Sequence, residues 1–153
     1  EAGAVGASDL TKQTPLHALA EKGILEVLRN PACATAKDHK GDTPLHFLCK
    51  KGLKKALEHP GVSTAKNERG QTPLHYLAIA RVHDFLLHPD AGLVQDDSGW
   101  TPLHFLARDG IDVRQHPDAQ RLRNNRRQTA FDLFDGLTIM GRVIKDMKKK
   151  EKP

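Results

Sequence analysis

Thr14-Pro15-Leu16-His17, Thr43-Pro44-Leu45-His46, Thr72-Pro73-Leu74-His75 and Thr101-Pro102-Leu103-His104 are one tetrapeptide written four times, each copy 29 residues after the last. A fixed period of that size marks one supersecondary unit stacked on copies of itself, each covering the apolar face its neighbour cannot bury alone. A degenerate fifth copy, Thr129-Ala130-Phe131-Asp132, keeps the threonine and the large apolar third position but loses the proline and histidine. The last unit of a stack meets water on one side. Residues 124–147 therefore read as a C-terminal capping repeat, followed by a basic tail over 148–153.

The second unit shows how one copy is built. Thr43 is a natural N-cap, and Pro44 suits the first helical position, where its fixed φ fits and its missing N–H would have been unpaired anyway. Leu45, Leu48 and Cys49 recur at helical spacing and are expected to face the neighbouring units. Gly52 ends that helix. A second, short helix is expected from about residue 53 to 58, with Leu53, Ala56 and Leu57 inward and Pro60 as its stop. Asn30-Pro31, His59-Pro60, His88-Pro89 and His116-Pro117 place the same punctuation in every full unit. Gly41 and Gly70, two residues before the threonines, supply the turn into the next helix.

The run Gly-x-Thr-Pro-Leu-His, then Phe or Tyr, Leu, Ala or Cys, then Gly and a second helix, resembles the ankyrin repeat from about residue 9 to 147. The resemblance implies an all-α fold, a solenoid of ankyrin-type helix-turn-helix repeats over 9–37, 38–66, 67–95 and 96–123, ahead of the cap. Residues 1–8 read either as a small-residue leader or as the remnant of a preceding repeat. The period departs from the family's, 29 residues against about 33. About one helical turn is missing, and the short second helices over 24–29, 53–58 and 111–115 account for it. Leu19, Leu48, Leu77 and Leu106, which stand where the family typically carries alanine, are expected to fill the vacated volume.

Nine histidines invite a metal reading. His17, His46, His75 and His104, however, would be separated by about the 8–10 Å of packed helices, too far for two of them to share a zinc ion at about 2.1 Å each. The resemblance implies instead that these histidines hydrogen-bond backbone groups that hold adjacent turns together. His59, His88 and His116 are expected to interact with helix C-termini. The chain has no Gly-rich phosphate loop, Gly-x-Ser-x-Gly elbow, His-Glu-x-x-His or Cys-x-x-Cys, and Asp96-Asp97 falls in a turn where Asp bonds its own backbone. The expectation is a chain that is not an enzyme and carries no cofactor or metal.

Cys33 and Cys49 make no disulfide framework; Cys49 stands where other units carry alanine and reads as a small core residue, whereas Cys33 is expected nearer the surface. No apolar run approaches the roughly 18 residues of a membrane span. A monomeric protein of the cytoplasm or another reducing intracellular compartment, without membrane insertion, is expected.

By the same resemblance, a partner protein would bind along the fingertip turns and the exposed side of the first helices. Those positions are His39, Lys40 and Asp42; Glu68, Arg69 and Gln71; Asp97, Ser98 and Trp100; Asn125, Arg126 and Gln128; and, on the helices, Glu21 and Lys22, Lys50 and Lys51, Ile79 and Ala80, Arg108 and Asp109. They differ from unit to unit while the framework repeats. Trp100 is the only tryptophan and stands where other units carry Gln or Asp, so it reads as an interface anchor, with Ile79 and Ala80 completing an apolar centre. Phe47, Tyr76 and Phe105 are expected to be packing residues. The rival region is the basic end: residues 121–153 carry 10 Lys and Arg against 4 Asp and Glu, while 1–120 carry 14 against 15. It offers a salt-dependent route to nucleic acid or an acidic partner. The second helix expected over 111–115 in the fourth unit offers only Ile111 and Val113 as large apolar residues, which makes that unit the weakest.

Overall fold

A computed structural model describes residues 11–151; the expected leader over 1–8, Asp9 and the last tail residues, Lys152 and Pro153, lie outside the described residues. Among the described residues the fold is all-helical. Its α-helices are α1 (Pro15–Glu21), α2 (Pro44–Lys50), α3 (Pro73–Ile79), α4 (Pro102–Arg108) and α5 (Ala130–Lys150). Each packs against the next in chain order.

The threonines start these helices as the sequence predicts. Thr14, Thr43, Thr72, Thr101 and Thr129 hold extended backbone, and a proline takes the first helical position in α1 to α4. The four short helices also end alike. In α2 the Gly52 amide donates to the Cys49 carbonyl at 2.9 Å and the Leu53 amide reaches back to Leu48 at 3.2 Å, a Schellman closure that needs a left-handed residue. Gly52 supplies it at φ 76, and Arg81 adopts the same conformation at φ 61 after α3. Arg81, standing where the other units carry Gly23, Gly52 and Gly110, therefore does not change how α3 ends.

The expected second helices do not form as α-helix. Short 3₁₀ turns take their place at Leu25–Arg29, Lys54–Glu58 and Asp84–Leu87, and 111–115 carries no helix at all. Five residues or fewer give the tighter i→i+3 ladder one or two bonds, where an α-helix of that length would close barely one. The prolines are not stops either. Pro31 and Pro60 open further 3₁₀ turns, Pro31–Ala34 and Pro60–Ser63, where a residue without an N–H costs nothing. The side chain ahead of each proline accepts from the amide two residues on: Asn30 Oδ1 from Ala32 at 2.9 Å, and Nδ1 of His59, His88 and His116 from Gly61, Asp90 and Asp118 at 3.0, 3.1 and 3.2 Å. These histidines cap the following turn rather than the preceding C-terminus.

One continuous core runs through the units. Leu45, Leu48, Cys49, Leu74, Leu77, Leu103 and Leu106 are fully buried, and Ala56, Val62, Phe85 and Val113 join them from the connecting turns. Of the four volume-filling leucines, Leu48, Leu77 and Leu106 are buried as expected, while Leu19 is 39% exposed. Cys33 is fully buried, not near the surface; burial raises the pKa of both thiols, Cys49 most, and keeps them protonated. The expected boundary between cap and tail at 147/148 falls inside α5, which runs unbroken to Lys150. No helix among the described residues is long and apolar enough to cross a membrane.

Candidate functional site

The histidines of the four tetrapeptides are the joints of the framework. Nε2 of His17, His46, His75 and His104 donates to the backbone carbonyls of Asp42, Gln71, Trp100 and Gln128, at 2.8, 2.8, 2.8 and 2.9 Å. Each of those carbonyls belongs to the next unit. On the other side of each ring, Nδ1 accepts from the backbone N–H of the unit's own threonine at 3.0 Å. An N–H can only donate and a carbonyl can only accept, so this geometry selects the neutral ring with its proton on Nε2. Burial, the largest cause, depresses the pKa of His46 and His104 and brings that of His75 down to about 4. With one nitrogen donating and the other already accepting, these rings have no lone pair left for a metal ion.

The turns ahead of the helices are built as carefully. Oδ1 of Asp38, Asn67, Asp96 and Asn124 accepts two amides of its own turn, at 2.9 to 3.0 Å. Asp96 thus has the backbone-capping role read from the sequence. Each turn also joins the next by one main-chain bond: Glu68 N to Lys40 O and Asp97 N to Arg69 O at 3.0 Å, and Asn125 N to Ser98 O at 2.9 Å. The backbones approach so closely that a Cβ on Gly41 would sit 2.7 Å from the Glu68 nitrogen.

Three depressions sharing walls run along these turns and the outer side of α1 to α4. The first, about 400 Å³, is bounded by Gln13, Glu21, Asp38, His39, Lys40, Asp42, Phe47, Lys50 and Lys51. The second, about 720 Å³, shares Lys40, Asp42 and Lys50 with it and adds Asn67, Glu68, Arg69, Gln71, Tyr76, Ile79, Ala80, Phe105 and Arg108. The third, about 460 Å³, shares the 68–71 turn, Phe105 and Arg108 and adds Asp96, Asp97, Ser98 and Trp100. Every residue predicted for partner binding in the second to fourth units therefore lines this row except Asp109, which is held in ion pairs with Arg108 at 3.3 Å and Arg81 at 3.9 Å.

Two of those residues sit differently from the expectation. Asp42 is buried, not an exposed fingertip: its Oδ1 accepts from the Tyr76 hydroxyl at 2.8 Å and from Asn67 Nδ2 at 2.9 Å. Burial, then this hydrogen bond, pushes the Tyr76 pKa above its ordinary value. Trp100 is half-buried. Its carbonyl belongs to the framework bond with His75, while its ring leans on Phe105 with centroids 5.0 Å apart and the Arg108 guanidinium lies 5.8 Å above it. Arg108 also covers Phe105 at 5.1 Å, a cation-π arrangement over two faces.

The aromatic series does two things. Phe47, Tyr76 and Phe105 each meet the histidine of the preceding unit edge-on, with centroids 5.2 to 5.8 Å apart. They also line the depressions, a role that reading them as packing alone had missed. Their recurrence at one position beside variable neighbours is the signal that could have shown it. Lys51, Lys50, Lys40, Glu68, Arg69, Asp97, Ser98 and Ile79 are exposed. No protein-family model matches this chain, and no curated protein matches it significantly.

Proposed function

We propose that this chain is an ankyrin-type repeat solenoid acting as a non-catalytic protein-binding module, with its partner lying along the three joined depressions. The observation that carries the reading is the division of labour at each unit. The histidines of all four units and the threonines and leucines of the second to fourth repeat and are buried, while the residues facing the depressions change from Lys50-Lys51 to Ile79-Ala80 to Arg108. A scaffold that served only its own stability would have no use for that variation.

The binding mechanism is preorganisation. Main-chain bonds between successive turns and the histidine joints hold the face before a partner arrives, so few loops need ordering on association. The half-buried Trp100, leaning on Phe105 and covered by Arg108, is already in one position, which is how an interface anchor avoids an entropy penalty. Ile79, 43% exposed, supplies apolar area in the adjoining depression, with Arg69, Glu68 and Lys50 as a charged rim. Two free, buried thiols suit a reducing, intracellular compartment.

The test is affinity capture from lysate at low and high salt with the intact chain, Trp100→Ala and Ile79→Asp, followed by titration of the captured protein. A protein retained at high salt by the intact chain and lost by both variants, with their melting unchanged, is the expected result. Retention by both variants would remove the depressions from the binding face.

A further inference from the structure

α5 differs from the four helices before it in length, 21 residues against seven, and in what it leaves uncovered. Its first turn belongs to the core: Ala130 is buried, and Phe131, Leu133 and Phe134 pack against it. From residue 136 onward every side chain except Thr138 is exposed. Among them Leu137, Met140, Val143, Ile144 and Met147 are each 45% to 59% exposed. Spaced by three and four residues, they fall within an arc of about 120° at roughly 100° per residue, an apolar stripe facing water.

The charges of the same segment say what would cover it. Over residues 136–151, five basic residues, Arg142, Lys145, Lys148, Lys149 and Lys150, stand against Asp146 and Glu151. On the helical projection Lys148 borders the stripe on one side and Lys150 on the other, so their stems can lie along the apolar boundary while the ammonium groups reach past it. A second copy would set one positively charged seam against another. A planar anionic surface with an apolar interior matches both the stripe and its borders. Nothing among the described residues would meet a Cβ within 4 Å at Gly136 or Gly141, so no packing among them accounts for these two helix-weakening residues.

We propose that the outer part of α5 docks on an anionic lipid surface, lying along it with Leu137, Met140, Ile144 and Met147 in the acyl boundary and the lysines among the lipid phosphates. The helix rests on the bilayer and does not cross it. This binding stands independently of the groove.

Flotation of the full chain with vesicles tests it, comparing pure phosphatidylcholine with phosphatidylcholine carrying roughly a third phosphatidylserine. The intact chain is expected to float with the anionic vesicles alone, and less so at high salt. Met140→Asp combined with Ile144→Asp should abolish flotation. Lys148→Gln, Lys149→Gln and Lys150→Gln together should weaken partitioning about fivefold per lysine, roughly a hundredfold in all. All five side chains are exposed, so unchanged melting of both variants verifies that only docking was altered. Absence of flotation with anionic vesicles overturns the proposal, as does equal flotation with neutral ones or a lysine variant that floats like the intact chain. A dimer in sedimentation velocity that Met140→Asp with Ile144→Asp dissolves, without flotation, assigns the stripe to a second copy; retention on duplex DNA without flotation assigns the lysines to nucleic acid.

Discussion

The difference between His104 and Asp132 explains why the tetrapeptide stops repeating where it does. At both positions a side chain accepts from the backbone N–H of the capping threonine, through Nδ1 at 3.0 Å in His104 and through Oδ2 at 2.9 Å in Asp132. Only histidine has a second nitrogen to hand on to a following turn, and after Thr129 the described residues continue as a single helix to Lys150. The Thr129 hydrogen bonds hold the Asp132 carboxyl below its ordinary pKa. The joints at His46, His75 and His104 make the fold acid-sensitive. His75 titrates at about 4 when folded and near 6.5 when unfolded, so the unfolded chain takes up protons first as pH falls. Stability should be level above pH 6.5 and decline towards pH 4, by about 3 kcal/mol from His75, with His46 and His104 adding in the same direction. Urea unfolding across that range reads it; a midpoint that does not move would mean the rings accept protons without losing their bonds. Arg81 is the converse case, a residue kept where its backbone is strained. Arg81→Gly should raise stability by about 1 kcal/mol in the same measurement, because the Arg81 side chain is exposed and its ion pair to Asp109 is 3.9 Å long and contributes little.

At the scale of the element, each seven-residue helix is too short to persist alone, and its existence depends on the leucines it buries. Leu74→Ala, at a fully buried site, should cost about 2–5 kcal/mol through the cavity it leaves. The same change at Leu19, 39% exposed, should cost much less; equal losses in thermal melting would contradict the assignment of one as core and the other as margin. The leucine, the small residue beside it and the capping threonine were all legible in the sequence because they recur at one phase. The 3₁₀ form of the second segments was not, since the apolar spacing of Leu53, Ala56 and Leu57 fits either helix and hydrogen-bond geometry decides only once the following proline is placed. For the same reason His59-Pro60 read as a stop, although the histidine turns out to cap the turn the proline begins.

Across the whole molecule, cohesion comes from bonds between sequential neighbours, so local stability should follow local content. Residues 111–128 contain no helix and bury only Val113, Ala119 and Asn124, while the segment 43–87 holds two helices and most of the leucine core. Amide exchange is expected to be faster in 111–128 than in 43–87. Equal protection would show that the units unfold together and that the fourth is no weaker than the rest. The depressions were partly legible: the variable positions were readable because the framework around them repeats, and those of the second to fourth units, Asp109 apart, line one connected row, whereas Lys22, Asn125, Arg126 and Gln128 do not. Asp42 escaped that reading because its partners, Asn67 and Tyr76, are 25 and 34 residues away, and no local pattern announces a bond across a turn.

What the sequence determined by itself is everything that repeats: where each helix starts, which face it buries and where the turns bend. Periodicity suffices for these because every unit solves the same local problem of caps, glycines and apolar spacing. The tertiary structure alone decided what depends on a single neighbour. It sank Asp42 under Tyr76, set Arg108 over Trp100, buried Cys33, and carried α5 past the last unit with its apolar side open. Those outcomes follow from which surfaces find a partner in space, and a one-dimensional pattern carries that information only where the partner repeats with it.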